Sequence, residues 1–290
     1  MLFVLLLAGC GKEAAPQPPV VRVAERTTDL QAIQEGLTAV LRWSYPAATT
    51  AGQSLTDVEG IEVWRALLPR GQEPPPPVTP RDRQLQRQLF ESQGDVLTIL
   101  DPEALASATR GQQLVYRDDM SGVASSADED GGSVVWYGVR TVCCGGRRSE
   151  LSNVARLLPS EPPPPPAALR LSPGPDGIDI SWDQPPELLA LVERSADGST
   201  WSQVTDEPIR DDSYRDASAE QGRAWSYRVR SVARPEGGGR VVGEPSQPAR
   251  VEYPDTYPPP TPVEVVCLPE GRQVRVRWES VAGARSYRVS

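Results

Sequence analysis

Several short segments of this chain alternate apolar and polar residues, which is the pattern of a β-strand with one buried face. The clearest covers residues 177–182, where apolar side chains occupy every second position and Trp182 is the last of them. Similar segments end at Trp43 and Trp278. Because successive side chains of a strand point to opposite faces of the sheet, each tryptophan shares the inward face with the apolar residues before it. The pattern predicts an all-β protein whose core contains these three tryptophans.

The strand-like segments return in the same order along the chain, so the sequence contains a repeat. In the first two copies, the segment ending in tryptophan is followed by a strand ending in arginine, a Tyr-Arg-Asp phrase, a strand containing tyrosine, and a phrase containing Glu and Ser. Short strands separated by turn signals predict a β-sandwich. The matched residues of these two copies are 61–65 and 191–194, 115–118 and 213–216, 136–140 and 226–230, and 150–153 and 244–247, and a third copy has 274–278 and 287–289.

The order of these phrases resembles the fibronectin type III family. A proline-rich entry, a tryptophan closing the second strand, the tight turn at Asp197-Gly198 and the Tyr-Arg-Asp phrase follow one another in the second copy. The resemblance extends over residues 18–290 and implies tandem fibronectin type III (immunoglobulin-like) β-sandwiches. It also implies that Tyr137 and Tyr227 hold a strand corner through hydroxyl bonds to the backbone.

The first copy is longer than the second. Trp43 and Trp182 are 139 residues apart, whereas Tyr137 and Tyr227 are 90 apart, so the first copy carries about 49 extra residues. Insertions of this size lie on loops. Most of the excess falls in an insertion at about residues 69–112.

The insertion has helix signals of its own. Thr79 is followed by a proline and, three residues on, a carboxylate, which is an N-terminal cap, and Leu85 and Leu89 are one turn apart on a predicted buried stripe. A second short helix is predicted after Asp101, ending near Gly111. The insertion is interpreted either as a specific contact surface or as a decoration that covers a sheet edge.

Proline-rich segments mark the boundaries between copies. Residues 162–166 are five consecutive prolines, a polyproline II rod that is expected to hold neighbouring modules apart. The predicted division is a truncated lipoprotein signal and lipobox (1–10), a tether (11–19), module 1 (20–158), a linker (159–166), module 2 (167–253), a second linker (254–262) and the incomplete start of module 3 (263–290).

The N-terminus contains a candidate export signal. Residues 1–9 are an apolar run much shorter than the roughly 20 residues that a membrane-spanning helix needs. The run ends in Leu-Ala-Gly followed by Cys10, which resembles the lipobox of bacterial lipoproteins. The resemblance implies that the preceding peptide is removed, that Cys10 is the lipid attachment site, and that its acyl chains anchor the protein in a lipid bilayer. Because no basic segment precedes the apolar run, we expect the true start to lie upstream of Met1.

Composition and charge exclude several classes of function. The chain has no histidine, which rules out Ser-His-Asp and Cys-His catalysis and histidine-ligated metals within it. A formal net charge of −9 argues against nucleic-acid binding. No catalytic residue, cofactor or metal site is predicted. An acidic loop at residues 128–130 lacks the ligand spacing of an EF-hand and is interpreted as solvated.

The remaining cysteines follow the strand pattern. Cys143 and Cys144 are adjacent, so they face opposite sides, and counting in twos from Val139 places Cys143 inward. Cys267 precedes its tryptophan by the same spacing as Leu171 does and is predicted to be in the core. An interchain disulfide through Cys144 and a strained vicinal disulfide are both chemically open, and neither is predicted.

The function predicted from these features is that of a non-enzymatic, lipid-anchored cell-envelope protein whose modules serve protein or glycan binding, adhesion or spacing. The alternative is an accessory or spacer region of an exported enzyme, such as a glycoside hydrolase, whose catalytic domain lies beyond Ser290. A periplasmic assembly factor is a third interpretation. Gly11 is not the aspartate that marks inner-membrane retention in some lipoproteins, which favours the outer membrane.

Overall fold

A computed structural model describes residues 22–124, 132–235, 239–256, 261–281, 284 and 286–289. Strands dominate this part of the chain, so the prediction of a mostly β protein is confirmed. The strands form a first strand group, a second strand group and a C-terminal hairpin. The acidic loop at residues 128–130 lies outside the described residues.

The first strand group contains nine strands and three helices within the described residues. They are β1 (Gln31–Glu35), β2 (Thr38–Ser44), β3 (Val58–Pro69), α1 (Pro80–Gln93), β4 (Asp95–Leu100), α2 (Pro102–Ala108), β5 (Thr109–Arg110), β6 (Gln113–Asp119), α3 (Ser121–Ala124), β7 (Ser133–Cys143), β8 (Arg147–Arg148) and β9 (Ala155–Leu157).

Two sheets pack face to face in the first strand group. One has the order β1-β2-β6-β5 and the other the order β4-β3-β7-β8, with β9 also paired to β7. Inward side chains of both sheets meet in one core, which contains Trp43 of β2, Ile61 and Val63 of β3 and Tyr137 of β7. Ala39, Leu41 and Trp43 of β2 are alternate residues that are all apolar and buried, as the pattern predicts.

The second strand group repeats this arrangement. Its core contains Trp182, Val192, Tyr227 and Tyr253 between one sheet of order β10-β11-β14 and a second in which β12 and β15 are neighbours. The turn at Gly198 has a positive φ of 76°, as expected for a tight turn. The strands are β10 (Ala167–Gly174), β11 (Gly177–Asp183), β12 (Leu189–Ser195), β13 (Ser202–Gln203), β14 (Ser213–Asp216), β15 (Arg223–Ala233), β16 (Val241–Pro245) and β17 (Ala249–Tyr253).

Helix α1 begins where its cap predicts. Thr79 accepts a hydrogen bond from the Asp82 N–H, and the Asp82 carboxylate accepts one from the Thr79 N–H, so the capping box is complete. The buried side chain is Phe90, however, and the prediction that Leu85 is buried is wrong, because Leu85 is 53% exposed. Helix α2 is capped by Asp101, as predicted.

Helix α1 covers a face of the β3–β7 sheet through Phe90. The Phe90 ring lies 6.4 Å from the Trp136 ring, and it fits because Gly138 has no side chain. A Cβ at Gly138 would lie 2.6 Å from a Phe90 ring carbon. The following strand, β4, pairs with β3 and covers that edge of the sheet. The segment between β3 and β6 therefore covers both a sheet face and a sheet edge.

The C-terminal hairpin consists of β18 (Val266–Glu270) and β19 (Gln273–Arg277), which pair with each other. Cys267 is exposed, so its predicted core position is wrong. Trp278 is only half-buried, against the edge of the Tyr287 ring at 5.2 Å, and its predicted core position is also wrong. The physical reason is that, among the described residues, no second sheet packs against this hairpin.

Candidate functional site

The predicted lipid attachment site, Cys10, lies outside the described residues. Within the part of the chain that the structure describes, no helix combines the length and apolar character needed to cross a membrane. The described residues also contain no group of three or more Cys, Asp or Glu side chains that could hold a metal ion. The features that could serve a function are the joint between the strand groups, a surface groove and the recurring polar clusters.

The two strand groups are joined by a single sheet. Strand β1 of the first group pairs in parallel with β16 of the second, with Gln34 opposite Val241 and Glu35 opposite Val242. The Gly36 N–H extends the ladder by donating to the Val242 carbonyl at 2.8 Å. The resulting nine-stranded sheet runs in the order β13-β12-β15-β16-β1-β2-β6-β5, with β17 paired to β15. We call the β1–β16 contact the seam.

A buried glutamine ties the seam to the linker. Gln34 is 1% exposed, and its side-chain amide donates to the carbonyls of Ser160, at 2.7 Å, and Gly36, at 2.8 Å. Its side-chain oxygen accepts a bond from the Ser160 N–H at 3.1 Å. A buried amide whose donors and acceptor are all paired favours one geometry over its alternatives, because any shift leaves a polar group unsatisfied.

Apolar contacts and close backbone packing complete the seam. Ile33 of β1 packs against a small cluster formed by Leu191, Val232 and Val242 of the second strand group. Gly243 of β16 lies directly against the Pro163 carbonyl, where a Cβ would overlap the linker backbone. The proline-rich linker is therefore docked against the seam, and the expectation that it holds the two copies apart is wrong.

The repeated phrases assemble into a polar cluster that bridges the two sheets of each group. In the first group, the Asp118 carboxylate on β6 accepts bonds from the Tyr137 hydroxyl at 2.7 Å and from Arg65 at 2.9 Å. In the second group, the Asp216 carboxylate on β14 accepts bonds from the Tyr227 hydroxyl at 2.8 Å and from Arg194 at 2.7 Å.

These clusters correct the prediction for Tyr137 and Tyr227, whose hydroxyls donate to carboxylates and not to the backbone. Burial, followed by the hydrogen bond to the neighbouring carboxylate, raises the pKa of each phenol far above its usual value. Both tyrosines are thus fixed donors in the neutral form. Both side chains are fully buried, so they act as structural groups.

A second feature recurs after the tyrosine strand in both groups. The Ser152 hydroxyl accepts a bond from the Val139 N–H at 2.9 Å, and the Ser246 hydroxyl accepts one from the Val229 N–H at 3.0 Å. Each serine N–H also donates to the carbonyl of the same valine. These serines explain why the Glu-X-Ser phrase repeats, since they hold the chain against the preceding strand where the regular ladder is interrupted.

Two tryptophans on strand faces, Trp64 and Trp201, are stacked beneath arginines. The Arg140 guanidinium lies 5.3 Å from the centre of the Trp64 ring, and the Arg228 guanidinium lies 4.3 Å from that of Trp201. Both indoles are half-buried. A ring face covered by a guanidinium gains cation–π stabilisation and is not free to stack on a sugar. Their geometry is that of strand-face packing.

A polar groove of about 650 Å³ runs beside α1. Its ion pairs join Arg26 to Glu150 at 3.2 Å and Arg140 to Glu91 at 2.5 Å. Arg87, also on α1, lines the groove and has no ionic partner among the described residues. The surplus guanidinium gives the groove a local positive character in a chain of net charge −9, so an anionic group is the chemistry that it can accept.

Comparison with solved structures found matches of low similarity, one of which is described here. The chain is similar to the crystal structure of the selenomethionine-substituted chicken interferon gamma receptor alpha chain, with 13% sequence identity and a TM-score of 0.27, covering 80% of this chain and 99% of that chain. No protein-family model matches the sequence. No curated protein matches it either.

The seam was missed by sequence reasoning. Its strands β1 and β16 belong to different copies and are about 200 residues apart in sequence, and nothing in either strand specifies a partner in the other copy. Gly243, in the phrase before Glu244-Pro245, was the only local signal, because a glycine inside a strand marks a close backbone approach.

Proposed function

We propose that this chain is a rigid, non-enzymatic spacer of the bacterial cell envelope, built from tandem fibronectin type III modules and anchored through a lipid on Cys10. The observation that carries the proposal is the seam, because one sheet continues from the first strand group into the second. A spacer keeps a binding surface at a fixed distance and orientation only if its joints do not bend. Hydrogen bonds, a buried amide and an apolar cluster across the joint supply that stiffness.

The strand order supports the module assignment within this proposal. In the first strand group, β1, β2 and β6 belong to one sheet and β3, β7 and β9 to the other. In the second, β10, β11 and β14 form one sheet and β12, β15 and β17 belong to the other, and this shared arrangement is the immunoglobulin-like order. Helices α1 and α2 and strand β4 then constitute an insertion between β3 and β6 of module 1. The recurring Tyr–Asp–Arg clusters sit at the same place in both groups, as tandem copies of one module require.

The groove beside α1 is the surface that we assign to the envelope partner, a protein or glycan carrying anionic groups. Arg87 supplies an unpaired guanidinium there, and α1 is held rigidly by Phe90, so the groove is preorganised. An array of acidic and neutral glycans tests the glycan form of this assignment. Binding to acidic glycans is expected to weaken in Arg87→Glu, while Arg83→Glu, an exposed change on the same helix, leaves it unaltered.

Mass spectrometry of the protein purified from membranes of a bacterial host tests the anchor. The expected N-terminal peptide begins at Cys10 and carries acyl chains, and Cys10→Ser is expected to release the protein from the membrane fraction. An unacylated Cys10 on the mature chain would contradict the anchoring part of the proposal. It would leave the spacer part to be judged on the rigidity of the seam.

A further inference from the structure

Two adjacent cysteines lie at the end of the β7 strand in an unusual backbone geometry. Cys143 is the last residue of β7, and Cys144 follows it with a positive φ of 59°, a conformation that non-glycine residues rarely adopt. The two sulfur atoms are 2.7 Å apart, although both residues are free thiols. That separation exceeds a disulfide bond length by only about 0.7 Å.

The surrounding turn holds Cys144 in this position. Gly145 and Gly146 continue the left-handed backbone, with φ values of 82° and 78°. Their N–H groups donate to the two oxygens of the Glu59 carboxylate, at 2.6 and 2.9 Å. A single side chain from β3 therefore holds the two residues after Cys144 and restrains the turn in which the Cys144 sulfur faces Cys143.

The two thiols differ in access. Cys143 is fully buried in a cluster with Ala24 and Leu55, whereas Cys144 is half-buried at the rim of that cluster. A reagent from solution therefore meets Cys144 first, and Cys143 is placed to attack whatever has formed on it. A thiol that solvent reaches, next to a buried second thiol, allows a mixed disulfide formed on the first to be closed by the second.

We propose that Cys143 and Cys144 are a redox modification site that forms a reversible vicinal disulfide by exchange with a low-molecular-weight disulfide. The Cys144 thiolate attacks one sulfur of the reagent, forming a mixed disulfide and releasing one reagent thiol. The Cys143 thiolate then attacks the Cys144 sulfur, closing the ring and releasing the second thiol. The protein loses two protons and two electrons, and the reagent is reduced to two thiols, so the step balances.

The closed form is expected to be easily reduced. Adjacent Cα atoms are about 3.8 Å apart across a trans peptide, which is shorter than the roughly 4.4–6.8 Å of ordinary disulfides. A disulfide confined to this span is strained, and strained disulfides are the labile ones. The site therefore suits reversible oxidation better than permanent cross-linking.

The charges around the pair make its reaction depend on pH. The hydrogen bond with Cys143, burial, and the negative charges of Cys143 and Asp57 raise the pKa of Cys144 to about 11, while Arg22 opposes them. Asp57 is 3.9 Å from the Cys144 sulfur and pairs with Arg22, and Glu59 and Arg147 flank the turn. Because the thiolate reacts, the exchange rate is expected to rise about tenfold per pH unit from pH 7 to pH 10.

The test uses the full chain carrying Cys10→Ser and Cys267→Ser, so that only the pair can react. The protein is incubated with excess glutathione disulfide at pH 9, and the remaining thiols are alkylated with iodoacetamide. The mass of the peptide that contains both cysteines is then measured by mass spectrometry. The expected peptide has lost two hydrogen atoms, carries no alkyl group and regains both thiols on mild reduction. A peptide alkylated on both sulfurs, or one that keeps glutathione on Cys144, would overturn the proposal.

Single variants test the order of attack. Cys143→Ser is expected to stop at the mixed disulfide on Cys144. Cys144→Ser retains the buried thiol alone and is expected to leave Cys143 unmodified over the same time. Cys144→Ser keeps the buried Cys143, so it tests the order of attack even if replacing Cys143 disturbs folding. If glutathione appeared on Cys143 of this variant as fast as it does on the intact pair, the assigned roles would be contradicted.

Discussion

At the scale of single residues, the repeat of this chain is a repeat of polar clusters as much as of apolar strands. Asp118 and Asp216 each accept hydrogen bonds from a tyrosine and an arginine of the opposite sheet, and so connect the two sheets of their group. A buried carboxylate is costly unless it is paired and hydrogen-bonded, and both aspartates meet that condition. The phrases that identify the repeat in the sequence are the ones that build this connection.

The cluster at Asp216 gives a pH-dependent prediction. Burial tends to raise the pKa of Asp216, but hydrogen bonds from Ser218, Tyr227 and Arg194 outweigh it, so that pKa lies below its usual value. The stabilisation is therefore present above about pH 4 and is lost as the pH falls through the lowered pKa. Asp216→Asn is expected to lower the free energy of unfolding by about 3 kcal/mol at pH 7.

Urea unfolding from pH 2 to pH 7 measures this effect. The gap between the parent chain and Asp216→Asn is expected to narrow below about pH 4, because the aspartate of the unfolded chain is protonated there while that of the folded protein takes up its proton only at lower pH. Asp183→Asn is the control, because Asp183 and its partner Arg170 are both more than half exposed and the change is expected to cost less than about 1 kcal/mol. Equal losses in the two variants would show that the buried cluster is not the source.

The sequence predicted which residues matter at this scale but not what they contact. Tyr137 and Tyr227 stood out by their position in the repeat, and both are buried as expected. Their acceptors were assigned to the backbone, because the aspartates lie on a different sheet and are brought close only when the sheets pack. A side-chain partner set by tertiary packing leaves no local pattern in the chain.

At the scale of elements, the start of helix α1 could be predicted from the sequence, whereas its buried side chain depends on tertiary packing. The cap at Thr79 predicted the start of the helix correctly, because capping depends on residues that are close in sequence. The buried side chain was predicted incorrectly, because Phe90 is selected by the space above Gly138 on a strand far along the chain. Strand β4 was not predicted, because it is defined by its pairing with β3 and its own residues do not alternate strictly between apolar and polar.

The docking of α1 predicts a large effect at one position. Phe90→Ala removes a ring with no exposed surface from the cluster with Trp136 and Leu151, and is expected to cost about 3–5 kcal/mol of stability. Leu85→Ala, on the exposed side of the same helix, is expected to change stability by less than about 0.5 kcal/mol. Chemical denaturation of the two variants measures both. A small cost for Phe90→Ala would mean that the helix is not held by this ring.

At the scale of the whole molecule, the seam joins the two copies of the repeat through a shared sheet. The two strand groups, predicted as modules held apart by a proline rod, share one sheet, and the linker is docked at Ser160 and Pro163. The strands of each group could be predicted because alternation and turn residues are local. The joint could not, because it depends on a parallel pairing between strands of different copies.

A distance distribution measured across the seam reports whether the joint between the two strand groups is rigid. Spin labels on non-natural side chains at the exposed positions Gln112 and Glu207 report the separation of the two strand groups by pulsed electron–electron double resonance. We expect one narrow distance peak, which broadens in Gly243→Leu, because the new side chain overlaps the Pro163 backbone. Gly239→Leu, with nothing within 4 Å of its Cβ position, is expected to keep the narrow peak. A broad distribution in the parent chain would contradict the rigid spacer.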